Sequence, residues 1–351
     1  MFGLSKESFM MLFRNAQIRD LDAIHQLAIG SGIGITTLPQ NIDILRERLK
    51  LSVTSIQKAV HQPHLEYYLF VLENPKTQQL VGTSAIQASI GHDLPFYTYR
   101  LSNRTRISHA LGIRQDHTLL NLVNDHQGKS EVCTLYLKPD FRKDNHGVLL
   151  SRARFLFMSQ FPSRFESEVI AEMRGVADDK GQSPFWDNVG HHFFEMSFQR
   201  ADELTLSTNK QFISDLIYEH PINLQLLSPE AQAVVGKPHT TTEPAMHMLL
   251  KEGFYYSNYV DIFDAGPILE AKCADIQTIK TCQLGKIVDI ADDIKQTLHL
   301  VSNTQLEFRA TVGAIAITQN GVTINKETAD LLQVDLGDVV RFSDLKPACR
   351  G

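Results

Sequence analysis

The stretch from Glu131 to Phe157, EVCTLYLKPDFRKDNHGVLLSRARFLF, constrains the fold more than any other part of the sequence. Its first residues alternate between two faces, as in a β-strand, until Pro139, which cannot donate to a sheet ladder. After Gly147, apolar side chains recur at helical spacing, at Leu149, Ala153 and Leu156. We therefore predict a strand, a short turn and a helix in direct succession.

The turn between this strand and helix is basic and contains a glycine. It carries Arg142, Lys143, Asn145, His146 and Gly147. The start of a helix presents backbone N–H groups and a partial positive charge that suit an anion, and a glycine allows a ligand to approach the backbone closely. Neither the P-loop pattern nor the G-x-G-x-x-G fingerprint is present. The turn predicts a local site for a pyrophosphate, with an ordinary solvated loop as the alternative.

Composition limits the partners of the chain. The 351 residues carry a formal net charge of -6, so no overall basic field favours nucleic acid. No segment approaches the roughly 20 apolar residues of a membrane span, and the N-terminal residues lack the apolar core of a signal peptide. The cysteines form neither a CxxC pair nor a metal-like cluster, which predicts no metal site and a reducing, cytoplasmic location. These cysteines are Cys133, Cys273, Cys282 and Cys349.

The order of predicted elements indicates an α/β (α+β) fold, a mixed sheet flanked by helices. A strand at MMLFRNAQ is followed by two helices and by a hairpin of two strands, EYYLFVLE and LVGTSAIQASIG. Residues 92–130 are less regular and predict an insertion with a short strand or two. After the strand, turn and helix, ESEVIAEMRG predicts another strand, and SPFWDNVGHHFFEMSF predicts a short helix and then a strand.

Two further patterns suggest how the chain is divided. SPFWDNVGHHFFEMSF and AMHMLLKEGFYYSNYVDIFD both predict a helix, a glycine and an aromatic strand, which suggests a partial internal duplication, although chance is an open alternative. From about Asp275 the sequence becomes β-rich, with turn signals such as NG. We predict a first domain at 10–200, a partial repeat at 201–274 and a small β-rich domain at 275–351.

The element order resembles that of the GNAT acyl-CoA N-acyltransferases, in which a run such as LKPDFRKDNHGVLL holds the pyrophosphate of coenzyme A. That family commonly has two or more glycines in the turn, so Asn145 and His146 must tolerate its geometry here. The segments PFYTYR, EVCTLYLKPDFRK, VVGKPHTTTEPA and EGFYYSNYVDIFDAGP look like those of the arginine N-succinyltransferase family. The resemblance implies succinyl transfer from succinyl-CoA to the α-amino group of L-arginine, in arginine catabolism, with no permanently bound cofactor.

The resemblance also implies site residues. In that family a leucine of the strand contacts succinyl-CoA, here Leu135, and a histidine donates a proton, here His239 in VVGKPHTTTEPA. Arg142, Lys143 and Gly147 form the predicted pyrophosphate turn. Histidine suits proton transfer because its ordinary pKa of about 6.5 lies near neutral pH.

The groups that bind the rest of the substrates stay open at the level of sequence. Arginine needs carboxylates around its guanidinium, for which the candidates are Glu172, Asp261 and Asp264, with Arg174 nearby. The succinyl carboxylate needs a cation, and the sequence does not rank Arg100, Arg142 and Arg152. Alternative functions are transfer to ornithine or another amino acid, and a non-catalytic coenzyme A-binding subunit. A homo-oligomer or a hetero-oligomer is equally compatible with the sequence.

Overall fold

The computed structural model describes residues 10–32, 36–178, 181–207, 211–217, 220–292, 294 and 297–345. Within them, fifteen strands form one sheet. The strands are β1 Leu12–Asn15, β2 Tyr67–Asn74, β3 Gln79–Gln87, β4 Thr98–Ser108, β5 Ile113–Val123, β6 Ser130–Leu137, β7 Glu168–Glu172, β8 Ile222–Asn223, β9 Tyr255–Val260, β10 Pro267–Lys272, β11 Gln283–Ala291, β12 Leu298–Ser302, β13 Arg309–Thr318, β14 Gly321–Asn325 and β15 Val339–Asp344.

Helices cover both faces of this sheet. They are α1 Leu21–Ser31, α2 Ile42–Gln57, α3 His146–Gln160, α4 Pro184–Asn188, α5 Gly190–Phe194, α6 Phe198–Ser207, α7 Gln211–Leu216, α8 Pro229–Val234, α9 Glu243–Lys251, α10 Gln277–Thr281 and α11 Lys326–Leu332. None of the helices in the described ranges is long and apolar enough to cross a membrane. The mixed α/β class expected from the sequence is confirmed.

The strand order across the sheet is β12-β15-β11-β14-β13-β1-β2-β3-β6-β7-β10-β9-β4-β5-β8. Neighbouring strands are antiparallel except for two pairs, β6 with β7 and β11 with β14. The parallel pair β6 and β7 lies near the middle of the sheet and is joined by α3. Because these two strands run side by side only at their first residues, the sheet has an opening at this position.

Helix α3 packs into the largest core cluster of the protein. Its Phe157 ring contacts the rings of Phe70 and Phe308, at centroid distances of 5.2 Å each, and Phe13 stacks on Phe70 at 4.8 Å. These rings come from α3, β1, β2 and the residue before β13, so one aromatic cluster fixes the helix against both the central and the C-terminal strands. The predicted strand at MMLFRNAQ and the predicted hairpin correspond to β1, β2 and β3.

The irregular segment 92–130 forms more structure than the sequence indicates. Its two strands, β4 and β5, are eleven residues each and pair along their whole length. Only the base of this hairpin joins the sheet, through Tyr99 and Arg100 with β9 and through Leu119 and Leu120 with β8. Most side chains towards its turn are exposed, which is why hydrophobic periodicity is weak there.

The prediction for SPFWDNVGHHFFEMSF is wrong in its second half. The segment forms α4 and α5, and α6 follows from Phe198, so no strand is present between Pro184 and Ser207. Trp186 stacks on Phe194 at 5.6 Å and meets Phe198 edge-on at 6.0 Å. Because the aromatic residues form a buried helical cluster, the proposed duplication fails: only the second of the two segments has a helix, Gly253 and a strand.

The C-terminal part is β-rich, as the sequence indicates, with β11 to β15 and α11. It continues the same sheet through the pairing of β13 with β1. The proposed domain boundaries stay predictions. Cys133, Cys273 and Cys282 are free thiols, whereas Cys349 lies outside the described residues.

Candidate active site

The opening in the sheet begins where β6 and β7 separate. The two strands pair only at Ser130 with Val169 and at Glu131 with Ile170. Beyond these pairs, β6 contains a β-bulge opposite β3. Between two consecutive cross-strand pairs, β3 has one residue, whereas β6 has two, Thr134 and Leu135. A β-bulge bends the strand that contains it, and Leu135 of this bulge lines the opening.

The bulge places Thr134 in the left-handed region, with φ of 57°. That conformation is costly for a β-branched residue, by roughly 1–3 kcal/mol, and requires support from its surroundings. Thr134 donates its backbone N–H to Thr37 Oγ1 at 3.0 Å and its hydroxyl to Thr37 O at 3.2 Å. Tyr67 and Thr83 add bonds of 3.0 Å each. The bulge is therefore held from β2, from β3 and from the loop before α2.

A cavity of about 130 Å³ occupies the opening between β6, β7 and α9. A second cavity of about 380 Å³ adjoins it. The residues that line both cavities are Thr36, Thr37, Glu131, Cys133, Glu172, Asp261 and Phe263. Three of these shared residues are acidic, so the region where the cavities meet suits a cationic group.

Asp261 and Asp264 form a buried carboxyl pair beside the first cavity. Asp261 Oδ1 accepts the backbone N–H groups of Phe263 and Asp264, and Asp264 accepts those of Gly175 and Gly266. Burial raises the pKa of both carboxyl groups, and the nearby Asp261 charge raises that of Asp264 further, well above its ordinary range. Asp264 is thus largely a structural group that fixes the loop, whereas Asp261 also lines both cavities.

The basic turn lies between β6 and α3, as the sequence predicts, but its backbone conformation differs from the predicted one. The left-handed residues are Asp144, with φ of 52°, and Asn145, with φ of 63°, so the expectation for Asn145 is met and that for His146 is wrong. His146 is the first residue of α3, and Nδ1 of its buried ring donates to Phe141 O at 3.1 Å. Burial lowers the pKa of His146. Gly147 lies inside the helix and does not require its conformational freedom there.

Arg142 and Lys143 are exposed at this turn. Arg142 Nε donates to Leu137 O at 3.0 Å, which ties the turn to the end of β6. At Gly147, a Cβ atom would meet only Leu137 at 3.9 Å and Met248 at 4.0 Å. The backbone at the start of α3 is therefore accessible, as a pyrophosphate site requires.

His239 lies at the edge of the first cavity, in the loop before α9. Its backbone N–H donates to Arg174 O at 2.7 Å, and Arg174 lines the cavity. Its Nδ1 accepts the backbone N–H of Thr241 at 3.2 Å and lies 2.7 Å from Thr241 Oγ1. This contact leaves Nε2 as the ring nitrogen that carries the proton of the neutral ring. His239 itself is not among the described residues that line the cavity.

The predicted charged candidates separate into two groups. Glu172, Asp261, Asp264 and Arg174 line the first cavity, together with Leu135. Arg100, Arg142 and Arg152 do not line it. Arg100 pairs with Asp125 on the hairpin at 3.1 Å, and Arg152 is buried against Glu252 at 2.8 Å on the other side of α3.

Two charged residues of the first cavity were missed at the level of sequence: Glu131 and Arg154. Arg154 follows Leu150 by four residues and precedes Phe157 by three, so an arginine on the apolar stripe of α3 was the available signal. Among the described residues, no group of three or more His, Cys, Asp or Glu is arranged to hold a metal ion.

Comparisons with known proteins agree with this architecture. Residues 11–278 match the family model described as arginine N-succinyltransferase beta subunit, and residues 281–344 match the one for its C-terminal domain. Arginine N-succinyltransferase of Yersinia pestis is 41% identical over 344 residues, covering 96% of this chain and 98% of that protein. The enzyme of the same name from Photorhabdus laumondii is 40% identical, with 96% and 99% covered.

A solved structure extends the comparison to three dimensions. Arginine/ornithine succinyltransferase subunit AI from Pseudomonas aeruginosa is 33% identical, with a TM-score of 0.87 over 97% of this chain and 100% of that one. The match spans both the sheet opening and the C-terminal strands. The chain therefore belongs to the arginine N-succinyltransferase family.

Proposed function

We propose that this protein transfers the succinyl group of succinyl-CoA to the α-amino group of L-arginine. The observation that carries the proposal is the acidic junction between the two cavities at the sheet opening, next to an accessible helix start. The names of the relatives support the same reaction. We also propose that the reaction belongs to arginine catabolism in the cytoplasm.

Coenzyme A fits the edge of β6 and the turn that follows it. The amide groups of its pantetheine arm can pair with an exposed strand edge, as an added β-strand does. Leu135, in the bulge, then lies beside the thioester. The pyrophosphate reaches the start of α3 near Gly147, where backbone N–H groups and the helix dipole favour an anion. Arg142 and Lys143 are exposed there and add positive charge.

Arginine fits the acidic junction. Its guanidinium is always charged and binds carboxylates through paired hydrogen bonds. Glu131, Glu172 and Asp261 line both cavities and supply those acceptors. Binding of the guanidinium in the larger cavity directs the α-amino group towards the smaller one, where the thioester lies in this proposal.

The reaction requires an unprotonated amine and a proton for the leaving thiolate. The amine nitrogen attacks the thioester carbonyl, a C–N bond forms, the C–S bond breaks, and the amine proton is finally transferred to the sulfur. We assign to His239 the donation of a proton to the leaving sulfur: Thr241 holds Nδ1, so Nε2–H is the donor, and the proton released by the amine then restores Nε2–H. Hydrogen bonds fix the backbone at the bulge before substrate binds, so orienting the thioester does not require ordering of this backbone.

The test follows thiol release from succinyl-CoA with arginine, ornithine, lysine or no amine. We expect release that depends on arginine and falls by about 10²- to 10⁴-fold in His239→Ala, the usual effect of general acid–base catalysis. His247→Ala, an exposed histidine on α9, is the matched control and should keep full activity.

Each other outcome separates an alternative. Arginine-dependent release that does not change in His239→Ala would keep the transferase but refute the role of His239. Faster release with ornithine would favour the second substrate in the name of the Pseudomonas relative. Binding of succinyl-CoA without release with any amine would favour a non-catalytic subunit.

A further inference from the structure

Arg154 lies directly beneath the bulge and is 1% exposed. Its Nη1 donates to Ala85 O at 3.4 Å and to Cys133 O at 3.3 Å, the cross-strand pair next to the register break. Nε donates to Ser151 O at 3.0 Å and Nη2 to Ser151 Oγ at 3.3 Å. These bonds use four of the five N–H groups of the guanidinium, and one N–H of Nη2 is left over.

Arg154 forms no ion pair in the part of the chain that the structure describes. Its bonds all go to carbonyl or hydroxyl oxygens, whereas the buried Arg14 pairs with Asp20 and Glu73, and Arg152 pairs with Glu252. Burial lowers the pKa of Arg154 to about 10, which still leaves it charged at neutral pH. A buried cation that forms no ion pair is costly.

Arg164 shows what a purely structural arginine looks like in this fold. It is also buried and donates to Ser55 O, Lys58 O and the Tyr68 hydroxyl, at 2.8–3.1 Å. Arg164 lines neither of the two adjoining cavities, whereas Arg154 lines the first one. The charge of Arg154 can therefore attract an anion bound in the first cavity, whereas the charge of Arg164 lies away from both cavities.

We propose that Arg154 determines the choice of acyl donor, by providing the positive charge that favours an acyl chain ending in a carboxylate. The proposal rests on the proposed succinyl transfer, since it assigns the succinyl carboxylate of that reaction. Arg154 lies under the bulge where the thioester is placed, so the far end of a short dicarboxylic chain is close to it. In this proposal the remaining N–H of Nη2 donates a charge-assisted hydrogen bond to the succinyl carboxylate, so that all five N–H groups of the guanidinium have an acceptor.

The test compares succinyl-CoA with butyryl-CoA, which has the same four-carbon length and no carboxylate. We expect Arg154→Met to lower kcat/KM for succinyl-CoA by about 10- to 100-fold, the value of a hydrogen bond to a charged group, and to leave kcat/KM for butyryl-CoA within about threefold. Arg154→Lys, which keeps the charge, should recover part of the preference. Arg164→Met is the control, and should lower thermal stability without changing the ratio of the two donors.

Measuring the binding of the two donors makes the test independent of catalysis. Kd values for both donors are measured by calorimetry without arginine. They should show the same loss of preference for succinyl-CoA in Arg154→Met. This result does not depend on turnover of butyryl-CoA, or on acyl transfer to arginine by the wild type. Equal losses for both donors would assign Arg154 to the support of the bulge and overturn the proposal. A preference lost in Arg174→Met but kept in Arg154→Met would also overturn it, because Arg174 is the other arginine among the described cavity residues.

Discussion

The strongest stability prediction concerns Arg152, which ties α3 to the C-terminal part of the chain. Its guanidinium contacts Glu252 Oε1 and Thr278 Oγ1 at 2.8 Å each. It also donates to Leu345 O at 2.7 Å, Asp344 O at 3.0 Å and Ser343 Oγ at 3.3 Å. These partners lie before β9, on α10 and at the end of β15, and both charged side chains are under 5% exposed.

The structure sets the size of the effect. Arg152→Leu leaves the Glu252 carboxylate buried with the backbone N–H of Thr278 as its remaining donor, at 2.7 Å. Removing one partner of a buried ion pair destabilises by about 3–5 kcal/mol, mainly because the other charge is stranded. Replacing both partners with apolar residues removes that charge as well. We therefore expect Arg152→Leu/Glu252→Leu to be less destabilised than the sum of the single variants, by 1 kcal/mol or more.

Hydrogen exchange of the β15 and α10 amides is the assay, because a chain of this size need not unfold in one step. Faster exchange in Arg152→Leu, with partial recovery in the double variant, is the expected result. Unchanged exchange in Arg152→Leu, or strictly additive effects, would show that the pair does not hold the C-terminal strands. Arg46→Leu, an exposed arginine on α2, is the control and should have no effect on these amides.

Three further predictions address the site and its surroundings. Gly147→Val should fold normally, because a Cβ atom has room there, but it should raise KM for succinyl-CoA. An unchanged KM would show that the pyrophosphate does not bind at this turn. Gly266→Ala should destabilise by about 1–3 kcal/mol and impair activity, because its Cβ would lie 2.0 Å from Met173 O; calorimetry and thiol release measure both. Burial raises the pKa of Glu270, but the hydrogen bond from His126 and the charge of Lys129 together outweigh burial and lower it overall. The stabilisation from this carboxylate is therefore present above pH 4.5 and lost as pH falls. Glu270→Gln should therefore lower the melting temperature at pH 7 and flatten its decline below pH 4.5, and an unaltered acid profile would contradict this.

Local signals made the central part of the fold predictable. Pro139 ends the strand, the apolar stripe of α3 identifies the helix, and Gly32 closes α1 in a left-handed conformation with φ of 77°. Each of these signals acts within a few residues, so it can be recognised without knowing which residues it packs against in the fold. The segment around Trp186 and Phe194 could not be predicted in the same way. Its aromatic run fits a strand by propensity, and only packing between α4, α5 and α6 decides for helix.

The charged residues of the site show a second limit of sequence reasoning. Arg100, Arg142 and Arg152 were plausible partners of a carboxylate, yet each already has a role on the hairpin, at the turn or against the C-terminal strands. Arg154 differs from Arg152 by two positions, and that rotation about α3 places one guanidinium beneath the bulge and the other on the far side. Side-chain direction on a buried helix, rather than residue type, decides which arginine can meet a ligand.

The bulge itself depends on contacts that no local pattern contains. Thr134 adopts a left-handed conformation although it is not glycine, because Thr37, 97 residues earlier in the chain, takes up its N–H and hydroxyl groups. Arg154 donates to the carbonyl oxygens of Ala85 and Cys133, the cross-strand pair next to the register break. If the bulge were lost, β6 would continue beside β7 and the opening would close. The separation of the strands and the position of Leu135 are therefore one structural feature, and a substitution that removes the Thr37 contacts to Thr134 should affect both.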